Sequence, residues 1–211
     1  MTKSIAIYIE GGGDTTQTLA SFRTGMSAFL KPIVDVVRAK RIRWRVIACG
    51  RRKEAYYKFV DALAKEPDVF NVLLVDSEDP VAIALSPWDH VRSREDDKWN
   101  RPPGADDTHC HMMVACMEAW FLADADALKR HYGVNFDIGK LPPASQAESQ
   151  TKDEIYAALK KATKSTKAGQ YRKIRDGAKL LAEVDVTIVR KHCKWCQRMF
   201  KALGDVVETT V

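Results

Sequence analysis

Three carboxylates in four positions, Asp76, Glu78 and Asp79, are the residues best suited to chemistry. They directly follow residues 70–75, FNVLLV, which have the length and continuous hydrophobicity of a buried parallel strand. Alternate residues of a strand share a face, so Asp76 and Glu78 are expected to point the same way. Carboxylates this close repel one another unless a proton or cation neutralises them, and oxygen-rich clusters suit Mg²⁺ or Mn²⁺. The stretch therefore predicts a divalent metal site.

Another carboxylate occupies the same kind of position. Residues 4–9, SIAIYI, form a predicted strand, and Glu10 follows with a Gly-Gly-Gly turn that permits close approach of a ligand. No Gly-Lys-Ser/Thr follows, which excludes a Walker loop, and the third glycine and downstream acid of the dinucleotide fingerprint are missing. Ligands of open α/β sheets bind beyond the carboxyl ends of the strands, so Glu10 is expected to join Asp76 and Glu78. Solvated loop carboxylates are the alternative interpretation of either motif alone.

An α/β fold must position these motifs. The predicted strands cover residues 4–9, 41–49, 70–75 and 109–116, and the predicted helices cover residues 16–40, 51–65, 117–130, 151–161, 174–183 and 186–203. Pro32 lies inside the first helical pattern and is expected to kink or split it. The β-α-β-α-β order with helical crossovers predicts a parallel sheet flanked by helices. Residues 81–107 are irregular and predict a short helix followed by a functional loop.

The length of 211 residues suits one domain, or one domain with an appendage. We predict an α/β core over residues 1–135 and a helical, basic C-terminal region over residues 136–211 that packs on the core. No apolar run reaches the 18 residues of a membrane span, and no signal-peptide pattern opens the sequence. Five cysteines without framework spacing indicate a reducing compartment, so we expect a cytoplasmic protein.

The positive charge is concentrated late in the chain. The net charge is +6, and residues 151–201 hold 14 Lys and Arg against 5 Asp and Glu. An acidic site in one part and a basic surface in another would suit a metal-dependent enzyme that acts on a polyanion. Arg51 and Arg52 follow a predicted strand end, so they are candidates to face the same sheet edge as the carboxylates. A solvated helical surface is the alternative interpretation of both charge runs.

Cys193-Lys-Trp-Cys196, preceded by His192, has the spacing of half a zinc site. No second Cys-x-x-Cys exists to complete it, so packing of these side chains in a helix is the favoured interpretation.

The strand-end motifs resemble the Toprim fold, which is shared by topoisomerases, bacterial primases, overcoming-lysogeny nucleases and small-ribonuclease relatives. That pattern is a hydrophobic strand ending in Glu-Gly, here Glu10-Gly11, and a later strand ending in Asp-x-Asp, here Asp76-Ser-Glu78. Glu in place of the second Asp keeps the charge and lengthens the side chain. The segment Glu118-Ala-Trp-Phe-Leu-Ala-Asp124 more specifically resembles a family of small bacterial Toprim-like proteins. That family includes the nuclease effector of a two-component anti-phage defence system whose partner is an ATPase.

The resemblance implies an Mg²⁺-dependent nuclease that acts on RNA or DNA in a defence or toxin role. The implied metal ligands are Asp76 and Glu78, with Asp79 as a helper, Glu118 completing the acidic cluster, and Glu10 as general acid/base or further ligand. The implied contacts to the phosphate backbone are Lys164, Lys167, Arg172 and Lys173.

Two other functions fit the same residues. A catalytically degenerate subunit would bind nucleic acid or an ATPase partner with a steep salt dependence and without turnover. A phosphoesterase or nucleotidyl transferase would prefer small phosphoesters or nucleotides to polymers. The lack of a Walker motif argues against ATPase activity in this chain itself.

Overall fold

A four-stranded sheet forms the centre of the fold. The computed structural model describes residues 4–209, and its strands are β1 (Ser4–Ile9), β2 (Arg43–Ala48), β3 (Val69–Asp76) and β4 (Cys110–Met113). The strand order is β2-β1-β3-β4, and every neighbouring pair is parallel. The predicted α/β fold class, a parallel sheet flanked by helices, is therefore confirmed.

Helices connect the strands and follow the sheet. They are α1 (Thr16–Phe29), α2 (Lys31–Ala39), α3 (Arg52–Lys65), α4 (Pro87–Ser93), α5 (Ala119–Ala123), α6 (Ala125–Tyr132), α7 (Lys152–Thr163), α8 (Lys173–Glu183), α9 (Val186–His192) and α10 (Lys194–Thr209). Short 3₁₀ helices lie at Ile138–Lys140 and Ala144–Ser149, between the helices predicted over residues 117–130 and 151–161. Within residues 4–209, no helix combines the length and hydrophobicity that crossing a bilayer requires.

Three predicted helices are divided. The helix predicted over residues 186–203 is wrong as a single element, because Cys193 separates α9 from α10. Pro32 lies in the first turn of α2, where its missing N–H costs nothing, and it separates α2 from α1. The helix predicted over residues 117–130 is wrong as a single element, because Asp124 ends α5 and begins α6. Its carboxylate accepts the Ala127 N–H, as a helix N-cap does. The strand predicted over residues 109–116 is also shorter, since β4 covers only Cys110–Met113.

Helices cover both faces of the sheet. Ile5, Ile7 and Ile9 point to one face, where they pack against α1, α2 and the C-terminal helices. Ala6 and Tyr8 point to the other face, against α3 and α4. The first of these clusters includes residues from both parts of the predicted division at residue 135. Residues 1–3 and 210–211, which that division includes, lie outside the described residues.

Close packing of α8 against α1 brings the C-terminal region to the end of β1. Gly25 of α1 lies so near α8 that a Cβ atom there would overlap the carbonyl oxygen of Ala178 and lie 3.0 Å from its carbonyl carbon. Only glycine permits this approach without displacement of a helix. As a result Lys173, the first residue of α8, reaches the carboxyl edge of the sheet.

Candidate metal centre

The structure brings together three of the carboxylates at the carboxyl ends of neighbouring strands. Glu10 follows β1, and its N–H donates to the Leu74 carbonyl at 2.9 Å, so it lies directly beside β3. Asp76 ends β3, and Glu78 follows two residues later. Glu10, Asp76 and Glu78 each offer an oxygen, and these atoms lie within 4.8 Å of one another. Among residues 4–209, this is the one acidic group with metal-site geometry.

Glu78 reaches the cluster by a backbone route that differs from the prediction. Its φ is 71°, a left-handed conformation that is uncommon for a residue with a side chain. Extended geometry therefore stops after Asp76. The Ser77 and Glu78 N–H groups donate to the carbonyls of Met113 and Ala115 at 3.0 and 2.8 Å, which holds the turn against the end of β4. Backbone strain of this kind is concentrated at functional sites.

Glu10 is held from two sides. Its Oε2 accepts the Asp76 N–H at 3.0 Å and an Arg52 N–H at 3.1 Å. Burial and the negative charge of Asp76 raise the pKa of Glu10 to about 7, against the opposing effect of Arg52. A carboxyl group with this pKa can gain or lose a proton near neutral pH.

Asp76 is the most buried of the three carboxylates, with 2% of its surface exposed. Its Oδ1 accepts the Met117 N–H at 3.0 Å. Burial raises the pKa of Asp76, although the nearby ammonium group of Lys173, 3.6 Å from Oδ2, opposes this. The aspartate is thus fixed in orientation and has one oxygen directed at cations.

Glu118 lies next to Asp76 on the same side of the site and is fully buried. Tyr156 and Tyr171 donate their hydroxyl groups to Glu118 Oε1 at 3.0 and 2.8 Å, and Lys173 Nζ lies 3.8 Å from the same oxygen. Within the described residues, Glu118 Oε2 has no hydrogen-bond partner. A buried carboxylate oxygen without a partner is costly, so this atom indicates a missing ligand.

Two lysines neutralise the cluster. Lys152 Nζ lies 2.8 and 2.7 Å from the two Glu78 carboxylate oxygens and 3.5 Å from Asp76 Oδ2. Lys173 lies between Asp76 and Glu118. Burial lowers the pKa of Lys173, but the charges of Asp76 and Glu118 outweigh it and hold that pKa above its usual value. Both ammonium groups therefore stay charged.

Arg52 belongs to a buried charge network behind Glu10. Its guanidinium donates to Asp97 at 2.6 to 3.1 Å, to Glu10, and to the Asp76 carbonyl oxygen. Asp97 also accepts from Arg94 at 3.0 Å, and its side chain is only 1% exposed. The predicted functional loop thus supplies the counter-charge that fixes Arg52. Since the Arg52 side chain is 13% exposed and has these partners, it positions Glu10 rather than presenting a free cation.

The remaining predicted residues lie outside the cluster. Asp79 is exposed and pairs with Arg94 at 3.1 Å, and Arg51 is exposed 3.6 Å from Asp14. Lys164, Lys167 and Arg172 are exposed at the end of α7 and in the segment that leads to α8. Cys193 and Cys196 are buried in the apolar core.

Sequence reasoning missed Lys152, which has the shortest contacts with Glu78. A signal was present, because Thr151 and Glu154 form a capping box that identifies Lys152 as the first residue of a helix. A cation at that position opposes the helix dipole and so needs another explanation.

Glu10, Asp76 and Glu78 form an all-oxygen donor set, which fits Mg²⁺ or Mn²⁺ and not a zinc site built from Cys and His. The unpartnered oxygen of Glu118 fits the same conclusion, since a cation near Asp76 would compensate it. The residues present therefore suit a divalent metal ion.

Comparison with known proteins identifies a family and no function. A family model described as "Domain of unknown function (DUF4276)" matches residues 9–204, a span that includes every residue of the site. Neither a curated protein nor a solved structure matches the chain significantly.

Proposed function

The chain belongs to the DUF4276 family, and from its site we propose that it is a metal-dependent nuclease that hydrolyses phosphodiester bonds in RNA or DNA. The observation that carries the proposal is the convergence of Glu10, Asp76 and Glu78 at the carboxyl edge of the sheet, with oxygens within 4.8 Å of one another. Three acids and the buried Glu118 beside them need compensating positive charge, which Lys152 and Lys173 supply in this structure and a divalent ion would supply in the reaction.

The chain's own residues have separable roles in this reaction. A bound Mg²⁺ or Mn²⁺ would stabilise charge on the phosphate and lower the pKa of an attacking water. Asp76 and Glu78 would hold the ion, and the Met117 N–H keeps Asp76 in orientation. Glu10 has a pKa of about 7 and is fixed by Arg52, which suits it to take a proton from water or to act as a further ligand.

The position of the basic residues supports a polymer as substrate. Lys152 begins α7 and Lys164 directly follows its last residue. At 1.5 Å per residue, these two residues are about 18 Å apart along the helix axis. That distance corresponds to roughly five nucleotides of one strand at 3.4 Å each. A chain of phosphates could therefore contact the exposed Lys164 and Lys167 while one phosphate occupies the acidic site.

The resemblance of the strand-end motifs to the Toprim fold supports the same reaction. It also predicts a cytoplasmic protein with an ATPase partner and a role in anti-phage defence. The location, the partner and the role in defence stay predictions, because the residues of the site carry no information about them.

The proposal is tested by cleavage assays on end-labelled RNA and DNA, single- and double-stranded, with Mg²⁺ or Mn²⁺. Asp76→Asn and Glu78→Gln keep side-chain size while removing charge, and we expect each to lower cleavage by at least about a hundredfold. Asp61→Asn is the matched control, because Asp61 is an exposed acid paired only with Lys65. Thermal melting of each variant would verify that the fold is intact.

Cleavage by both site variants at the wild-type rate would show that the acidic cluster is not catalytic. Salt-sensitive binding of nucleic acid by every variant, with no cleavage under any metal, would favour the degenerate binding subunit. Preferential turnover of small phosphoesters would favour the phosphoesterase or nucleotidyl transferase.

A further inference from the structure

Each cation that faces the carboxylates is the first residue of a helix. Arg52 begins α3, Lys152 begins α7 and Lys173 begins α8. The N-terminus of a helix favours negative charge, so a cation placed there opposes helix stability. Arg52 is already occupied by Asp97 and Glu10, whereas Lys152 and Lys173 have only the carboxylates of the site as charged partners among the described residues.

Lys152 bridges two of the three carboxylates that would hold a divalent ion. Its ammonium group bridges Glu78, at 2.7 and 2.8 Å, and Asp76, at 3.5 Å. An ion held by the same two carboxylates would lie within a few ångströms of this ammonium, where two positive charges repel strongly. The ion and Lys152 therefore cannot keep the same partners. The Lys152 side chain is 29% exposed and has a flexible four-carbon stem, so it can turn outward while its backbone stays in α7.

Lys173 makes longer contacts with its carboxylates than Lys152 does. Its Nζ lies 3.6 Å from Asp76 Oδ2 and 3.8 Å from Glu118 Oε1, and both distances exceed a hydrogen bond. Its side chain is 35% exposed. Charge attraction alone therefore binds Lys173 to these two carboxylates, and a divalent ion at Asp76 would cancel that attraction.

A bound divalent ion changes the charge of the site. Without the ion, the carboxylates face Lys152, Lys173 and Arg52, so negative and positive side chains lie close together. The ion adds two positive charges to this arrangement. The metal-bound site therefore attracts an anion more strongly than the empty site does, and a phosphodiester of the proposed substrate is such an anion.

We propose that Lys152 and Lys173 exchange partners when a divalent ion binds, leaving the carboxylates and binding the non-bridging oxygens of a phosphodiester at the same site. This inference rests on the proposed function and identifies the substrate group. The metal releases the ammonium groups that the diester needs, so metal and diester binding reinforce each other, and by linkage each raises the affinity for the other equally.

The test measures Mg²⁺ affinity by calorimetry, with and without a saturating short phosphorothioate oligonucleotide, which resists hydrolysis. In the wild type, we expect the oligonucleotide to lower the Kd for Mg²⁺ by about tenfold or more. We call the factor by which the oligonucleotide lowers the Kd for Mg²⁺ the oligonucleotide effect. In Lys152→Gln, we expect tighter Mg²⁺ binding without oligonucleotide, because the competing ammonium group is gone. We also expect an oligonucleotide effect below about threefold in this variant. Lys152→Arg should retain the effect, since arginine also binds phosphate.

Lys31→Gln is the matched control, because Lys31 also begins a helix, α2, but is exposed, pairs with Asp35 and lies outside the carboxylate cluster. It should keep the wild-type metal affinity and oligonucleotide effect. Lys173→Gln is a second site variant in case Lys152→Gln does not fold, and it should also lose the effect. A wild-type oligonucleotide effect in both glutamine variants of the site overturns the exchange.

Cleavage of unmodified RNA and DNA, measured in parallel, separates this inference from the nuclease proposal. Cleavage by the wild type together with an unchanged oligonucleotide effect in Lys152→Gln refutes only the exchange of partners. If the oligonucleotide raises Mg²⁺ affinity in the wild type but not in the glutamine variants, and no protein cleaves nucleic acid, only the nuclease proposal is refuted.

Discussion

The contact between α1 and α8 allows a sharp test, because the same substitution has opposite consequences at two helical glycines. In Gly25→Ala, the new Cβ would overlap the Ala178 carbonyl oxygen and lie 3.0 Å from its carbonyl carbon. The overlap with the oxygen is more severe than the contact with the carbon, so it sets the displacement, and α8 must move away by about 1 Å or more. In Gly204→Ala of α10, the new Cβ would have no other described atom within 4 Å apart from its chain neighbours and the backbone of its own helix.

The magnitudes follow from two opposing effects. Alanine stabilises a helix interior by about 1 kcal/mol relative to glycine at either position. At Gly25, overpacking against rigid backbone costs about 3 kcal/mol, the upper end of the usual range. Gly25→Ala should therefore be destabilised by about 2 kcal/mol, with a Tm lower by about 4–8 °C. Gly204→Ala should gain up to about 1 kcal/mol, or about 2–4 °C.

Urea denaturation and thermal melting of both variants would measure these differences. Since Lys173 begins α8, the displacement in Gly25→Ala should also draw its ammonium group away from Asp76. A Gly25→Ala variant as stable as Gly204→Ala would refute the close packing of α1 and α8, and with it our account of how Lys173 reaches the site.

Two further predictions concern buried charges. Asp97→Asn leaves Arg52 and Arg94 without their shared charged partner, so it should lower the free energy of unfolding by about 3 kcal/mol, measured by urea denaturation. Asp89→Asn is the control, because Asp89 forms an exposed ion pair, and it should lower the free energy of unfolding by less than about 1 kcal/mol. Equal losses in the two variants would contradict the buried network. Burial raises the pKa of Glu148 to about 7 from 4.5, so the folded state binds this proton more tightly, and its contribution to stability falls as pH rises from about 4.5 to 7. In Glu148→Gln, the free energy of unfolding should therefore fall less steeply between about pH 4.5 and 7 than in the wild type. Denaturation curves at several pH values would measure this slope, and an unchanged slope would assign the pH dependence to other groups.

The part of the site that the sequence predicts depends on local patterns. An apolar run of strand length ends at Glu10 and another ends at Asp76, and parallel strands place such residues at one sheet edge. Pairing of β1 with β3 is enough to bring these two residues together, whatever the helices do. The carboxylate cluster was therefore accessible to sequence reasoning.

The counter-charges were less predictable because their positions depend on tertiary packing. The close approach of α8 to α1 at Gly25 helps to place Lys173 beside Asp76, and nothing in the sequence identifies that approach. Asp97 lies in an irregular segment with several charges, where spacing gives no periodicity to interpret. Glu78 joins the cluster through a positive φ that residue type disfavours.

The acids and the lysines that neutralise them come from opposite ends of the chain. About 100 residues separate Asp76 from Lys173, and at 5–20 residues per second their synthesis takes roughly 5–20 s. Until Lys152 is added, the nascent chain carries Glu10, Asp76 and Glu78 without either lysine, and Lys173 follows later still. Contacts so distant in sequence form late. For a protein proposed to cleave nucleic acid, this order of synthesis leaves the substrate site unfinished while the chain is still attached to a ribosome, the nearest large RNA.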